Sequence, residues 1–366
     1  MTTTRMIVLL VFLLNTTTTS AQFTPSRGAN PRRSADTWFE GWYTRITADN
    51  GEDAIGLVVG SYLRLRGSNE EPHRGYVAIL KRNVGNGVLA VHEHFPEHCR
   101  VQSARLQSRR ALGTSESVAF EWEADGIGIA NESEIAIRLP NGTSLTASLC
   151  NRQPWQPALP WRGPEGMAER LRLLRCHWSV FSLASRVKFV LTTAGSSMTG
   201  TGFAHQETNW GEAFPKAYVW AQGCSPDGRN RFALAGGMLP IGHTLHEGWL
   251  LGLRTSGTHW DFRPQVPGTF FTTHVDSHKG QFSMTARSAL RRVEIEVSAD
   301  PATFTALAIP TRHGFAHDTV QSFSASAAIR AYRCGLTGGR TLVESLRIAN
   351  AAIEFGGDYR PRLETP

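Results

Sequence analysis

Apolar side chains recur at every second position through much of this chain. Val187, Phe189 and Leu191 alternate with Lys188 and Val190, and Val293, Ile295 and Val297 alternate with Glu294 and Glu296. A period of two puts the apolar set on one face of an extended strand. Ile135 and Ile137 lead in the same way into Pro140-Asn141-Gly142, where Asn-Gly tolerates the positive φ angles of a tight hairpin turn. Further strands are predicted over 38–47, 54–65, 75–81, 232–239, 249–254, 282–286, 323–334 and 342–355. Strands this frequent, broken by Gly, Asn and Asp, predict a mainly β protein of antiparallel barrels or sandwiches. One short helix is expected where Pro164-Glu165 precede Met167, Leu171 and Leu174 at helical spacing.

At 366 residues, 41% apolar and 19% charged, the chain has room for two domains with real cores. A boundary is expected near residue 205, dividing an N-terminal β domain over 36–205 from a C-terminal one over 206–366. Ahead of them, Arg5 precedes the apolar run from Met6 to Leu14, and small residues follow to Ala21. That run is too short to span a bilayer and has the form of a signal peptide over 1–21. Residues 22–35 are rich in Ser, Pro and Arg with no acidic residue, as in a disordered or transit-like segment. The expectation is entry into the secretory pathway, followed by secretion or by import into a plastid through the endoplasmic reticulum.

The net charge of +7 changes this picture little. Basic residues are scattered among acidic ones, and no basic run alternates with aromatics as a nucleic-acid groove requires. Solubility or peripheral contact with an anionic membrane surface accounts for the charge. The five cysteines, Cys99, Cys150, Cys176, Cys224 and Cys334, form no Cys-x-x-Cys pair, so either up to two disulfides or buried free thiols are open. His94-Phe95-Pro96-Glu97-His98 fits an H-x-x-E-H zinc string, but Pro96 obstructs the helix that string needs. His274, Asp276 and His278 would share one strand face without a fourth ligand in view. No metal site and no cofactor is therefore expected.

Two aromatic blocks are more specific. Phe39-Glu40-Gly41-Trp42-Tyr43 and Glu207-Thr208-Asn209-Trp210-Gly211-Glu212-Ala213-Phe214-Pro215 each set a carboxylate beside glycine and large rings. A carboxyl in apolar surroundings holds its proton toward neutral pH, which suits a general acid. The structural alternative is that the rings are core and that Glu40 and Glu207 are buried hydrogen-bond acceptors.

These blocks, followed by Trp220, resemble the tocopherol cyclase family. The likeness continues in Cys176-His177-Trp178, in Pro310-Thr311 and in Ala352-Ile353-Glu354-Phe355-Gly356-Gly357, and it departs at Thr208, where the family usually has lysine. The resemblance implies two antiparallel lipocalin-like barrel or sandwich domains. It also implies an isomerase that protonates the alkene of a prenylated (phytyl) benzoquinol and lets the phenol oxygen close a chroman ring. On that reading Glu207, ahead of Glu40, is the acid, and Asn209 or His177 orients the phenol and relays its proton. Trp42, Trp178 and Trp210 face the cation, with Tyr43, Phe214 and Trp220 completing the substrate pocket. A hydrophobic prenylquinol or related lipid is then the partner. A noncatalytic lipid or quinone carrier and an isoprenoid hydratase of the carotenoid type are the alternatives.

Overall fold

The computed structural model describes residues 37–64, 74–103, 120–156, 163–166, 168, 174–241, 244–335 and 338–361. The leader and the segment after it lie outside the described residues, as does most of the stretch expected to be helical after Pro164. The described residues form the mainly antiparallel, lipocalin-like β architecture expected from the sequence, in two curled sheets.

The first sheet holds β1 (Thr37–Ala48), β2 (Ala54–Arg64), β3 (Arg74–Arg82), β4 (Leu89–His94), β5 (Arg100–Ser103), β6 (Phe120–Ala124), β7 (Gly128–Asn131), β8 (Glu134–Arg138), β9 (Ser144–Cys150), β10 (Cys176–Thr193) and β11 (Ser196–Gly211). Its order is β4-β3-β2-β1-β11-β10-β9-β8-β7-β6-β5. The Asn141-Gly142 turn joins β8 to β9, with Gly142 at φ 85°. The second sheet holds β12 (Ala217–Cys224), β13 (Arg231–Ile241), β14 (Thr244–Arg254), β15 (His259–Phe262), β16 (Phe270–Asp276), β17 (Gln281–Arg287), β18 (Arg291–Ser298), β19 (Thr305–Thr311), β20 (Gly314–Cys334) and β21 (Arg340–Gly357). Strand β12 lies between β13 and β21, and β21 pairs with β20. The chain thus crosses between sheets over 212–216, several residues past the boundary expected near 205. The first part of the Glu207 block, Glu207 to Gly211, ends β11 of the first sheet, and the rest, to Pro215, lies in the crossing.

Three large apolar clusters, and a small one of Tyr76, Ala78 and Ala308, follow from strand alternation. One fills the first sheet, with Trp42, Ile46, Trp122 and Leu145 among its members. Another fills the second, with Val219, Phe232, Trp249 and Phe355. The third is shared, joining Tyr43, Trp178 and Val180 of the first sheet to Trp220, Phe323 and Ala352 of the second. Burial of each such large side chain contributes roughly 1.5–3 kcal/mol. Strands β1 and β12 contribute to both a sheet core and the shared cluster, so nearly every residue in them is buried, polar ones such as Glu40, Arg45 and Gln222 included.

Polar ties fix the two sheets together. The fully buried Arg45 on β1 donates to Thr47 Oγ1 at 3.1 Å and to the Asn350 carbonyl on β21, and its guanidinium lies 4.8 Å from the Phe323 ring centre. Burial pulls its pKa down to about 10. Arg82 Nε donates to Ser324 Oγ at 2.9 Å, and Tyr62 Oη to the Arg312 carbonyl at 3.1 Å.

Candidate active site

The two aromatic blocks become neighbours because β1 and β11 pair antiparallel, with Tyr43 opposite Glu207 and Gly41 opposite Asn209. Successive strand residues point to opposite faces, which sorts each block in two. Tyr43, Glu207 and Asn209 face the second sheet. Gly41 has no side chain there, and a Cβ on it would come within 2.8 Å of Asn209 Oδ1. Glycine therefore leaves room for the amide.

Glu40, Trp42 and Trp210 take the opposite face. Trp42 stacks on Phe120 at 5.1 Å inside the first sheet's core, and Glu40 Oε1 accepts from the Trp38 indole at 3.2 Å. Glu40 and Trp42 border the cavity described below only where they flank Gly41. His177 lies opposite Trp210 on β10, and the two rings stack at 5.3 Å. The imidazole Nδ1 is 2.7 Å from Glu165 Oε2, while Glu165 Oε1 accepts from the Trp178 backbone N–H at 2.7 Å. His177 and Trp210 thus sit in a buried cluster on the far side of the sheet. Thr208 shares that face and donates to the Gly41 carbonyl at 2.9 Å.

The second sheet supplies the facing wall. Trp220 on β12, Glu354 on β21 and Gln321 on β20 form one row across three strands, with Tyr218, Gly356 and Thr319 in the next row. Between the walls lies a cavity of about 150 Å³. Trp178 closes one side, edge-on to Trp155 at 5.9 Å, and Phe214 lies between Phe39, stacked at 5.0 Å, and Tyr218 at 5.5 Å. Of the residues singled out from the sequence, Tyr43, Trp178, Glu207, Asn209, Phe214 and Trp220 are brought together here, and Glu40 and Trp42 also line the cavity.

Two carboxyl groups reach this cavity from opposite walls, with different neighbours. Glu207 Oε2 accepts from the Trp220 indole at 3.0 Å and lies 2.8 Å from Nε2 of the buried His205. Glu354 Oε1 accepts from the Tyr218 hydroxyl at 2.8 Å, and its Oε2 accepts from Gln321 Nε2 at 3.1 Å. Glu354 lines the cavity, half-buried beside these two partners. Burial pushes its pKa up to about 7; the bond from Tyr218 and the nearby Thr319 hydroxyl oppose this, and the nearby Glu207 charge adds to it. Burial likewise raises the Tyr43 and Tyr218 hydroxyls well above the usual phenol range. Both stay protonated near neutrality.

The cavity wall contains no Lys, Arg or His among its described residues. Carboxyls and aromatic faces without a cation form a surface suited to positive charge. Three buried polar atoms in this wall have no hydrogen-bond partner: Tyr43 Oη, Trp178 Nε1 and Gln321 Oε1. Orphaned polar atoms in an otherwise apolar pocket mark where a ligand's own polar groups belong.

Glu354, Tyr218 and Gln321 were not singled out from the sequence. The available signal was the Glu354-Phe355-Gly356-Gly357 stretch, in which Gly356 makes room for Tyr218: a Cβ there would meet that ring within 2.1 Å. Elsewhere, His92 and His94 lie on β4, and Asp276 caps a 3-10 turn and pairs with Lys279 at 2.9 Å rather than gathering His274 and His278. All five cysteines are unpaired, Cys99 and Cys224 being buried. Among the described residues no three His, Cys, Asp or Glu side chains converge as metal ligands.

No curated protein matches the sequence. In fold the chain is similar to CghA, with a TM-score of 0.53 and 12% identity, covering 87% of this chain and 88% of that one. It also aligns with a protein of the AttH type from Nitrosomonas europaea (TM-score 0.42, 12% identity, 93% and 97% covered) and with kievitone hydratase from Nectria haematococca (TM-score 0.43, 10% identity, 92% and 96% covered). A tocopherol cyclase-like family model matches residues 156–357, which include the Glu207 block, Trp178, Trp220 and Glu354. On that match, over more than half its length, the chain belongs to the tocopherol cyclase-like family.

Proposed function

We propose that this protein is a proton-transfer isomerase that closes a chroman ring on a prenylated benzoquinol. The reaction needs a proton delivered to a trisubstituted alkene, a tertiary cation kept from water, and a phenol oxygen placed to attack it. The observation that carries the reading is the apolar cavity between the sheets, with carboxyls on both walls, indole and phenol rings around them and no basic residue. Such a wall stabilises positive charge where it develops and so favours the transition state over the neutral substrate. Trp178 Nε1 offers an unpartnered donor, and the neighbouring Tyr43 hydroxyl and Gln321 amide a second polar pair, for the quinol hydroxyls.

Size constrains how such a substrate lies. A cavity of roughly 150 Å³ suffices for one six-membered ring, so the reacting end enters while most of a long tail remains outside. Phe315, which lines the cavity, packs against Tyr76 at 5.2 Å and against the exposed Phe95 at 6.2 Å, a greasy rim along which a tail can run.

The test is incubation of the purified protein with a phytyl benzoquinol, followed by mass analysis of the extract. Cyclisation gives a new product of unchanged mass. A product heavier by one water supports a hydratase, and recovery of intact ligand supports a carrier; either result rejects the cyclase reading.

A further inference from the structure

We infer that Glu354 on the second sheet is the proton donor of this cavity, and that Glu207 on the first, backed by His205, is the proton acceptor. The inference rests on the cyclase reading above and reverses the role that the sequence assigns to Glu207.

Hydrogen-bond accounting separates the two groups. An indole N–H can only donate, and Trp220 spends its donor on Glu207 Oε2, the same oxygen that His205 Nε2 approaches. The indole donates to that oxygen in every state, and in the Nε2–H tautomer of His205, which the proposal assigns, the imidazole adds a second donor that favours the carboxylate. Glu207 Oε1 carries no hydrogen bond among the described residues and is left for a substrate hydroxyl. The partners of Glu354 are of another kind. A tyrosine hydroxyl can donate or accept by rotating, so Tyr218 accommodates Glu354 in either protonation state.

The groups facing Glu354 are Tyr218 on β12, Thr319 and Gln321 on β20, and, from the opposite wall, Tyr43 on β1, Tyr76 on β3 and Glu207 on β11. None is cationic near neutrality. Arg45 and His205, paired across β1 and β11, share the face of Tyr43 and Glu207 one rung further along the strands, and neither lines the cavity. An acid kept protonated toward neutral pH opposite a carboxylate held by donors is the division of labour by which two identical groups serve as acid and base.

The step balances. The O–H bond of Glu354 breaks as the alkene π pair forms a C–H bond, leaving a tertiary carbocation and the Glu354 carboxylate. The phenol oxygen forms the C–O bond, and its proton passes to Glu207. Product and substrate have the same composition, and one proton has moved from Glu354 to Glu207. Exchange with solvent after release restores the starting state.

The experiment pairs infrared titration of the protonated carboxyl band, without substrate, with pH profiles of turnover on phytyl benzoquinol. Wild type should show a band that disappears as pH rises through about 7, with turnover falling over the same range. Glu354→Gln should lose the band and roughly 10²–10⁴-fold in turnover while still binding quinol. Glu207→Gln should keep the band and the alkaline fall of a lowered rate. Glu354→Asp, which keeps the acid one methylene back, should restore a band and part of the turnover, and it covers the case in which Glu354→Gln does not fold. A band that persists in Glu354→Gln and vanishes in Glu207→Gln overturns the assignment. A wild type that shows the band but cyclises no quinol rejects the cyclase reading and leaves the location of the proton standing.

Discussion

Glu207 sits against an indole donor and an imidazole, whereas Glu354 sits between a tyrosine and a glutamine, and the proposed division of roles rests on that difference in neighbours. The difference has a consequence for stability. An unfolded Glu354 ionises at its ordinary pKa of 4.5, while the folded one holds its proton up to about 7. Below the lower value both states are protonated and nothing is lost. Between the two the unfolded state gives up its proton first, so folding stability falls with rising pH and stays lower above about 7, by about 3 kcal/mol in all. Glu354→Gln removes this dependence. The stability of the variant relative to wild type, from urea denaturation, should therefore rise by about 3 kcal/mol between about pH 4 and about pH 8; a constant difference would contradict the burial argument. Glu207 was legible in the sequence because Asn209, Trp210 and Phe214 crowd around it within a few residues. The partners of Glu354 are 136 and 33 positions away in the chain, so no local pattern reveals them. The reverse holds for His177 and Trp210. Each adjoins a cavity residue in sequence, and strand alternation turns each to the far face.

At the scale of elements, the strands with clear period-two alternation were legible, as were the Asn141-Gly142 hairpin and the broad β character. The first half of β20 was not. Expected from residue 323, the strand begins at Gly314, and its early residues include the polar run His317-Asp318-Thr319. These side chains have partners that only the tertiary structure supplies: Thr319 donates to the Phe355 carbonyl at 2.9 Å, and His317 lies 2.6 Å from Glu93 of the first sheet. The unpredicted half of the strand carries Thr319 and Gln321 into the cavity wall. On β21, Gly356 performs a steric task for that wall. In Gly356→Ala the new methyl group would overlap the Tyr218 ring, with atoms 2.1–2.5 Å away, and the ring must swing aside. The expected cost is about 1–3 kcal/mol of stability. Because the Tyr218 bond holds the Glu354 pKa down, its loss should also shift the carboxyl titration to higher pH. Urea denaturation and infrared titration of this variant check both effects; an unchanged titration would show that Tyr218 does not set the acid.

For the whole molecule, the decisive feature is that the site belongs to neither sheet alone. The first sheet supplies Tyr43, Trp178 and Glu207, the second supplies Tyr218, Trp220 and Glu354, and the shared apolar cluster with Arg45 presses the walls together. The sequence resemblance located both main blocks, but it could not show that the chain crosses between sheets over 212–216, which sets Glu207 and Trp220 on opposing walls. In the proposed cyclisation, a site between two sheets would shield the cation from water and favour the phenol as nucleophile. The central claim, protonation of an alkene carbon by an enzyme carboxyl, is tested most directly by running the reaction on a phytyl benzoquinol in deuterium oxide. Carboxyl protons exchange with solvent, so the account predicts a chroman product carrying one non-exchangeable deuterium on the carbon next to the new C–O bond. A chroman formed with no carbon-bound deuterium would contradict it.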